Sequence, residues 1–183
     1  MVSQACHQAE DSTPYSLSAL QAVHKLNRCL MEVPNYDQAV LFAERAASLG
    51  PLPDSLLRLL CSGAPAAMLL ASNCLHHLCA STQVARQCGE AGLVETVLGL
   101  LKGGGRGLEP ALVDSLLQLL VTSTQTDVRQ RVTLGSLRGV VTLLATLLGG
   151  IEFVQSRVTA LELLKVVLLS RKGSRRQMTL YLF

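Results

Sequence analysis

A leucine-rich segment that ends in a pair of leucines occurs three times in this chain. Its copies span residues 52–60, 93–101 and 140–148, so successive copies are separated by 41 and then 47 residues. A second segment follows each copy, and residues 73–78 align with 115–120 and again with 162–167. Because one unit of this size cannot bury its apolar face alone, the repeat predicts units that stack on one another.

Each unit is predicted to consist of helices. Aromatic residues make up 3% of the chain, tryptophan is absent, and leucine dominates the 49% of residues that are hydrophobic. Strand cores depend on aromatic and β-branched residues, whereas leucine and alanine favour helices. Short segments at 84–88 and 128–132, which lie 44 residues apart, supply a third helix for each unit. The sequence therefore predicts an all-α fold.

Two further helices are predicted before the first leucine-rich copy. The first carries apolar residues at intervals of three and four, which places them on one helix face; they are Leu17, Leu20, Val23, Leu26 and Leu30. Pro34 follows this helix, and the second helix is predicted from about Tyr36 to Leu49, before Gly50 and Pro51.

Residues 83–101, together with the segment that follows them, resemble an armadillo repeat. A short first helix ends near Glu90–Gly92, a second helix carries Leu93 and Leu101, and a long third helix follows. The resemblance implies a right-handed superhelical solenoid of about three repeats within residues 15–170. We expect units at about 36–82, 83–124 and 125–170, a disordered segment at 1–14, and a tail at 171–183 that resembles a truncated further repeat.

One alternative concerns the start of the array. Residues 35–51 also resemble the second helix of a tetratricopeptide repeat. The partner helix that this motif requires is missing upstream, so we keep the armadillo arrangement as the main prediction.

The resemblance implies a scaffold that holds another protein along the groove formed by the third helices. Armadillo proteins that grip extended peptides carry a ladder of asparagines there, but the matching positions here are His77, Leu119 and Val166. A partner helix or a globular surface therefore fits this chain better than an extended peptide.

Polar residues three positions apart form a stripe on the third helices, and we interpret this stripe as the recognition surface. The alternative is that it is only the solvated side of amphipathic helices. Its members, the predicted partner-binding residues, are Asn73, His76, His77, Ser115, Gln118, Glu162 and Lys165.

The C-terminal region carries a basic cluster and then an apolar end. The cluster is interpreted as a solvated loop. The alternatives are a nuclear-localisation signal, a patch for an acidic partner, or a kinase site at Ser174. The cluster comprises Arg171, Lys172, Arg175 and Arg176. Residues 178–183 are uncharged and apolar. Leu163, Leu164, Val167 and Leu168 would have only this tail to cover them, so we expect one of two outcomes. Either the tail folds back as a cap, or this end pairs with another chain.

Sites for catalysis, cofactors or metals are not predicted. Cys74, His76, His77 and Cys79 are close in sequence, but Cys74 and Cys79 lie on different helix faces, so we expect no zinc site. The glycine-rich residues 102–107 lack the order of a phosphate-binding loop. The chain is accordingly not expected to be an enzyme or to need a cofactor.

Charge and hydropathy argue against two classes of partner. The net charge of +3 and the scarcity of aromatics make nucleic acid an unfavourable partner. The longest apolar run, residues 139–151, is shorter than the roughly 20 residues that a membrane-spanning helix needs. Residues 1–15 lack the features of a signal peptide. We therefore expect a cytoplasmic protein, with the nucleus as an alternative, and six reduced cysteines that act as small buried residues.

A protein-binding scaffold is the leading hypothesis for function. The first alternative is a docking or regulatory fragment of a larger enzyme, such as a kinase or a chaperone-linked protein. The second is a weak nucleic-acid adaptor. The sequence does not specify the partner.

Overall fold

The computed structural model describes residues 17–33, 35–48, 51–104, 108–149 and 156–180, and within these ranges the chain forms ten helices and no strand. The all-α prediction is therefore confirmed. The helices are α1 (Leu17–Met31), α2 (Tyr36–Ser48), α3 (Leu52–Leu60), α4 (Pro65–Leu78), α5 (Thr82–Glu90), α6 (Leu93–Gly104), α7 (Pro110–Thr126), α8 (Val128–Ser136), α9 (Val140–Gly149) and α10 (Ser156–Leu180).

Four long helices pack side by side in chain order. Helix α4 lies between α1 and α7, and α7 lies between α4 and α10. Two side-chain contacts, Asn73–Ser115 and His76–Thr122, advance in the same direction along α4 and α7, so these two helices are parallel. The shorter helices pack against this row, with α3 on α4 and both α8 and α9 on α10.

Local sequence sets the starts of several helices. Pro65 and Pro110 occupy the first position of α4 and α7, where proline has the required backbone angle and no intrahelical N–H bond to lose. Asp127 caps α8, because its side chain accepts a hydrogen bond of 3.0 Å from the backbone N–H of Arg129. The hydrophobic core that these helices enclose runs without interruption from Leu30 to Val167.

The predicted alignment of the short helices α5 and α8, at a spacing of 44 residues, is wrong. Val84 and Cys88 of α5 are fully buried, whereas Val128 and Val132 of α8 are about 60% exposed. The residues of α8 that point into the core are instead Gln130 and Leu134. The N-cap residues that precede the two helices, Ser81 and Asp127, give the correct spacing of 46 residues.

Two glycines at the same spacing let the helices approach closely. A Cβ atom on Gly89 would lie 2.8 Å from Cγ of Gln130, and one on Gly135 would lie 2.9 Å from Cβ of Ser170. The side chain of Gln130 lies in the space left by Gly89 and donates a hydrogen bond to the carbonyl of Ala85. The glycines thus set the distances from α5 to α8 and from α8 to α10.

The predicted end of the last helix near Ser170 is not observed, because α10 continues to Leu180. Gly173 is the only weak helix former in this stretch, and its cost of about 1 kcal/mol does not end a helix that arginine, lysine, glutamine and leucine favour. The basic residues Arg171, Lys172, Arg175 and Arg176 therefore lie on a helix rather than in a loop. Their side chains, and the predicted segment at 1–14, lie outside the described parts.

The four apolar residues that were predicted to have only the tail as cover at the C-terminal end are mostly covered in the structure. Leu163 and Val167 are fully buried against the rest of the structure, Leu164 is half-buried, and only Leu168 of the four is exposed. The surface available for self-association on α10 is thus another face of the helix.

The cysteines are not uniformly buried as predicted. All five described cysteines are free thiols; Cys74, Cys79 and Cys88 are buried, but Cys29 and Cys61 are exposed. In the part of the chain that the structure describes, no single helix is long and apolar enough to cross a bilayer, and α8 and α9 meet that criterion only as a pair bent by 86°.

Candidate partner-binding groove

An apolar groove of about 610 Å³ lies between α1 and α4, at the N-terminal end of the row of long helices. Small residues at the start of α4 leave this space, because Ala66 and Ala67 present only methyl groups towards α1. The apolar lining consists of Leu20, Ala66, Ala67, Leu69 and Leu70, and the polar lining consists of Gln21, His24, Lys25 and Asn73.

The charge of the groove is positive. Lys25 lies on the α1 side, next to His24, and none of the residues that line the groove is acidic. Leu69 and Leu70 are half-buried, so they remain accessible from solvent. An apolar surface that is accessible and carries a single sign of charge at its edge is suited to bind an apolar ligand that also carries negative charge.

Asn73 connects this groove to α7. Ser115, which is 6% exposed, lies 2.7 Å from Oδ1 of Asn73 and 2.8 Å from the hydroxyl of the fully buried Ser72. An amide oxygen only accepts, so the Ser115 hydroxyl donates to Asn73 and accepts from Ser72. These bonds fix Asn73 through its oxygen and leave its two amide N–H donors at the groove.

His76 connects α4 to α7 one turn further along. Its Nδ1 lies 3.0 Å from Oγ1 of Thr122, and its ring meets the ring of His77 edge to face with 5.1 Å between the centroids. Burial lowers the pKa of His76, and the neighbouring His77 lowers it further, while the backbone carbonyl of Gln118 acts in the opposite direction. Burial also lowers the pKa of His77. Both rings are therefore neutral at pH 7.

Of the remaining members of the predicted stripe, Gln118 contacts this cluster through its backbone carbonyl, at His76. Gln118 is exposed and its Nε2 donates a 2.8 Å hydrogen bond to Asp114 on the same helix. Glu162 and Lys165 are exposed on α10. The structure thus joins Asn73 to Ser115 and His76 to His77, but it does not bring the seven residues together in one contact network.

The structure also changes which residue of α4 is equivalent to which residue of α7. With α4 and α7 aligned by their first residues, Pro65 and Pro110, the buried positions coincide at a spacing of 45 rather than 42 residues. Asn73 then corresponds to Gln118, and Ser115 is its spatial neighbour rather than its equivalent. The proposed correspondence of His76 with Gln118 is wrong by three residues, which is nearly one helical turn.

Sequence reasoning missed most of the groove. The prediction included Asn73, but the other residues that line the groove, among them Leu20, Lys25 and Leu70, were not selected. The consecutive alanines Ala66 and Ala67 were the available signal, because small residues on one helix leave room beside its neighbour.

The cysteines and histidines near the end of α4 serve packing. Among the described residues, no group of three or more histidine, cysteine, aspartate or glutamate side chains is arranged to hold a metal ion. The thiol of Cys74 points to the carbonyl of Val23 at 3.7 Å, and burial raises its pKa to about 12. Cys74 is therefore a protonated thiol that contacts α1, not a thiolate ligand.

No family model, curated protein or solved structure matches this chain. The resemblance to armadillo repeats therefore depends on the sequence pattern.

Proposed function

We propose that this chain is an armadillo-like, right-handed solenoid of about three repeats that acts as a non-catalytic scaffold and binds a protein partner. The order of helix packing supports the architecture, since α1, α4, α7 and α10 would be successive third helices stacked in chain order. The pairs α2–α5 and α5–α8 would be successive first helices.

The groove between α1 and α4 carries the functional part of the proposal. An amphipathic helix places apolar side chains into such a groove at intervals of three and four residues. Leu20 and Leu70 supply apolar walls for these side chains, and Lys25 supplies a positive charge at the edge. The proposed partner is therefore a helix with an apolar face and at least one acidic residue beside it.

The polar residues of α4 and α7 have two roles in this proposal. Asn73 contacts the partner directly, through the amide N–H groups that its bond with Ser115 leaves available. Ser115 and His76 act by positioning, because they hold α4 against α7 and so fix one wall of the groove. Gln118 extends the polar surface on α7.

The exposed thiols of Cys29 and Cys61 suit a reducing compartment, and we place the scaffold in the cytoplasm or nucleus on this ground.

The test compares proteins captured from a cell extract by the wild-type chain and by groove variants. Leu70→Glu puts a negative charge on the groove wall, and Ala66→Trp fills the groove at an exposed position. Val132→Glu, on the exposed side of α8, is the matched control. We expect at least one protein to be captured by the wild type and by Val132→Glu but by neither groove variant.

The captured protein is then titrated against each purified variant at several salt concentrations. Binding that is independent of the groove variants would contradict the proposal. Capture of nucleic acid, with an affinity that falls steeply as salt increases, would favour the adaptor alternative instead.

A further inference from the structure

Helix α10 exposes an apolar face that the rest of the described structure does not cover. Val158, Leu161, Leu168 and Leu169 are 66%, 53%, 48% and 57% exposed. At 3.6 residues per turn these four side chains occupy a stripe about 100° wide, a width typical of a helix face that packs against another element. We call these four residues the outer stripe.

One residue of the outer stripe, Leu168, has a buried counterpart on α7. The buried residues Val113, Leu116 and Leu120 align at a spacing of 47 residues with Ala160, Leu163 and Val167, which are also buried. In this register Leu168 corresponds to Val121, which is only 8% exposed on a helix that α10 packs against. Leu168 is therefore more exposed on α10 than its counterpart Val121 is on α7.

Two opposite charges lie beside the outer stripe. Glu162 follows Val158 by four residues and Lys165 follows Leu161 by four residues, so both exposed side chains are neighbours of the stripe on α10. Along the helix the order is Val158, Glu162, Lys165, Leu169, and this order is symmetric in spacing about the midpoint between residues 163 and 164. Reversing the helix about that point exchanges the acid with the base.

We propose that the outer stripe binds the outer stripe of a second copy of this chain, with the two α10 helices antiparallel about a two-fold axis at that midpoint. Each Glu162 then lies opposite Lys165 of the second copy, and each Val158 lies opposite Leu169 of the second copy. A two-fold interface requires a surface that is complementary to itself, and this arrangement supplies both apolar contact and paired charge. The interface is separate from the groove between α1 and α4.

The test measures the molar mass of the full-length chain by light scattering and by sedimentation over a range of concentrations. We expect the wild type to form dimers. Glu162→Lys and Lys165→Glu each replace two attractive pairs with two repulsive ones, so each variant alone should raise the dimer dissociation constant by about tenfold. Gln118→Lys, a charge change on the exposed side of α7, is the control and should dimerise like the wild type.

An equimolar mixture of Glu162→Lys with Lys165→Glu distinguishes this antiparallel pairing from non-specific association. In the mixed dimer both cross-chain pairs are again attractive, so the mixture should dimerise as strongly as the wild type while neither variant does so alone. Leu161→Asp with Leu168→Asp should abolish the dimer, with circular dichroism showing that the chain still folds.

A wild type that stays monomeric at its highest soluble concentration would overturn the proposal. A mixture that associates no better than its separate components would overturn it as well, because antiparallel pairing requires the rescue.

Discussion

At the scale of single residues, Gly135 shows how one missing side chain sets the distance between two helices. Its position allows α8 to approach α10 so closely that an added Cβ would lie 2.9 Å from Cβ of Ser170. That neighbouring atom is next to the backbone of α10 and does not move independently of the helix. Gly99, by contrast, has nothing within 4 Å of an added Cβ.

We expect Gly135→Ala to destabilise the protein by about 1 to 3 kcal/mol, as overpacking in a close contact usually does. Gly99→Ala is the control, and it should stabilise the protein by about 0.5 to 1 kcal/mol because alanine favours the helix. Chemical denaturation of both variants measures the difference. A Gly135→Ala variant as stable as the wild type would show that α8 and α10 separate without cost.

The histidine pair on α4 should make stability depend on pH. The pKa of His76 is lowered in the folded state, first by burial and then by His77, so the unfolded chain takes up a proton more readily. Its contribution to stability is complete above its unfolded pKa of about 6.5 and is lost as the pH falls below that value towards the lowered folded pKa. His77 acts in the same direction, because burial lowers its pKa as well.

The unfolding free energy of the wild type should therefore decrease from about pH 7 to about pH 5, the range in which histidine gains its charge. His76→Asn keeps a polar group near Thr122 but does not titrate, so its unfolding free energy should decrease less over the same range. Urea denaturation at a series of pH values gives both slopes. Equal slopes would assign the pH dependence to groups other than His76.

At the scale of single helices, stability should depend on the leucines that are fully buried. Leu117 on α7 is fully buried, whereas Leu41 on α2 is 65% exposed. Leu117→Ala should cost about 2 to 5 kcal/mol through lost burial and a residual cavity. Leu41→Ala, the same chemical change at the surface, should stay within about 0.5 kcal/mol of the wild type. Equal losses in denaturation experiments would contradict the burial pattern.

The sequence predicted the helices more successfully than the contacts between them. Apolar spacing and prolines such as Pro65 and Pro110 depend only on local structure, so the helices and several of their starts could be predicted. The alignment of the short helices α5 and α8 could not be predicted correctly, because the apolar pair Val128 and Val132 resembles the pair Val84 and Cys88 in sequence. The N-cap residues Ser81 and Asp127, and the glycines Gly89 and Gly135, have the correct spacing of 46 residues and so distinguish the two alignments.

The groove and the outer stripe of α10 were harder to predict, for a physical reason. Both depend on which side of a helix its neighbours leave uncovered, and the intervals between apolar residues do not determine this. Leu163 and Leu168 look equivalent in the sequence, yet the first is fully buried and the second is 48% exposed. The length of α10 was also missed, since Gly173 suggests a stop that the surrounding helix formers override.

At the scale of the whole molecule, stability should vary along the row of long helices. In a stack of repeated units each element is stabilised mainly by its immediate neighbours. Helices α4 and α7 each have a long neighbour on both sides, whereas among the described helices α1 has a long neighbour on one side only. The hydrogen bonds of Ser115 and His76 add further links between α4 and α7. The most stable part of this row of long helices should therefore be its centre.

Native-state hydrogen exchange should show this gradient directly. Local openings expose edge elements at lower free energy than central ones, so amides of α4 and α7 should exchange most slowly and those of α1 faster. Helix α10 provides a second readout, because its protection should increase with protein concentration if two copies pair through the outer stripe. In Lys165→Glu that increase should disappear, while the protection of α4 and α7 stays unchanged. Uniform protection from α1 to α7 would instead show that these helices unfold together, so that α1 is not an independent edge of the array.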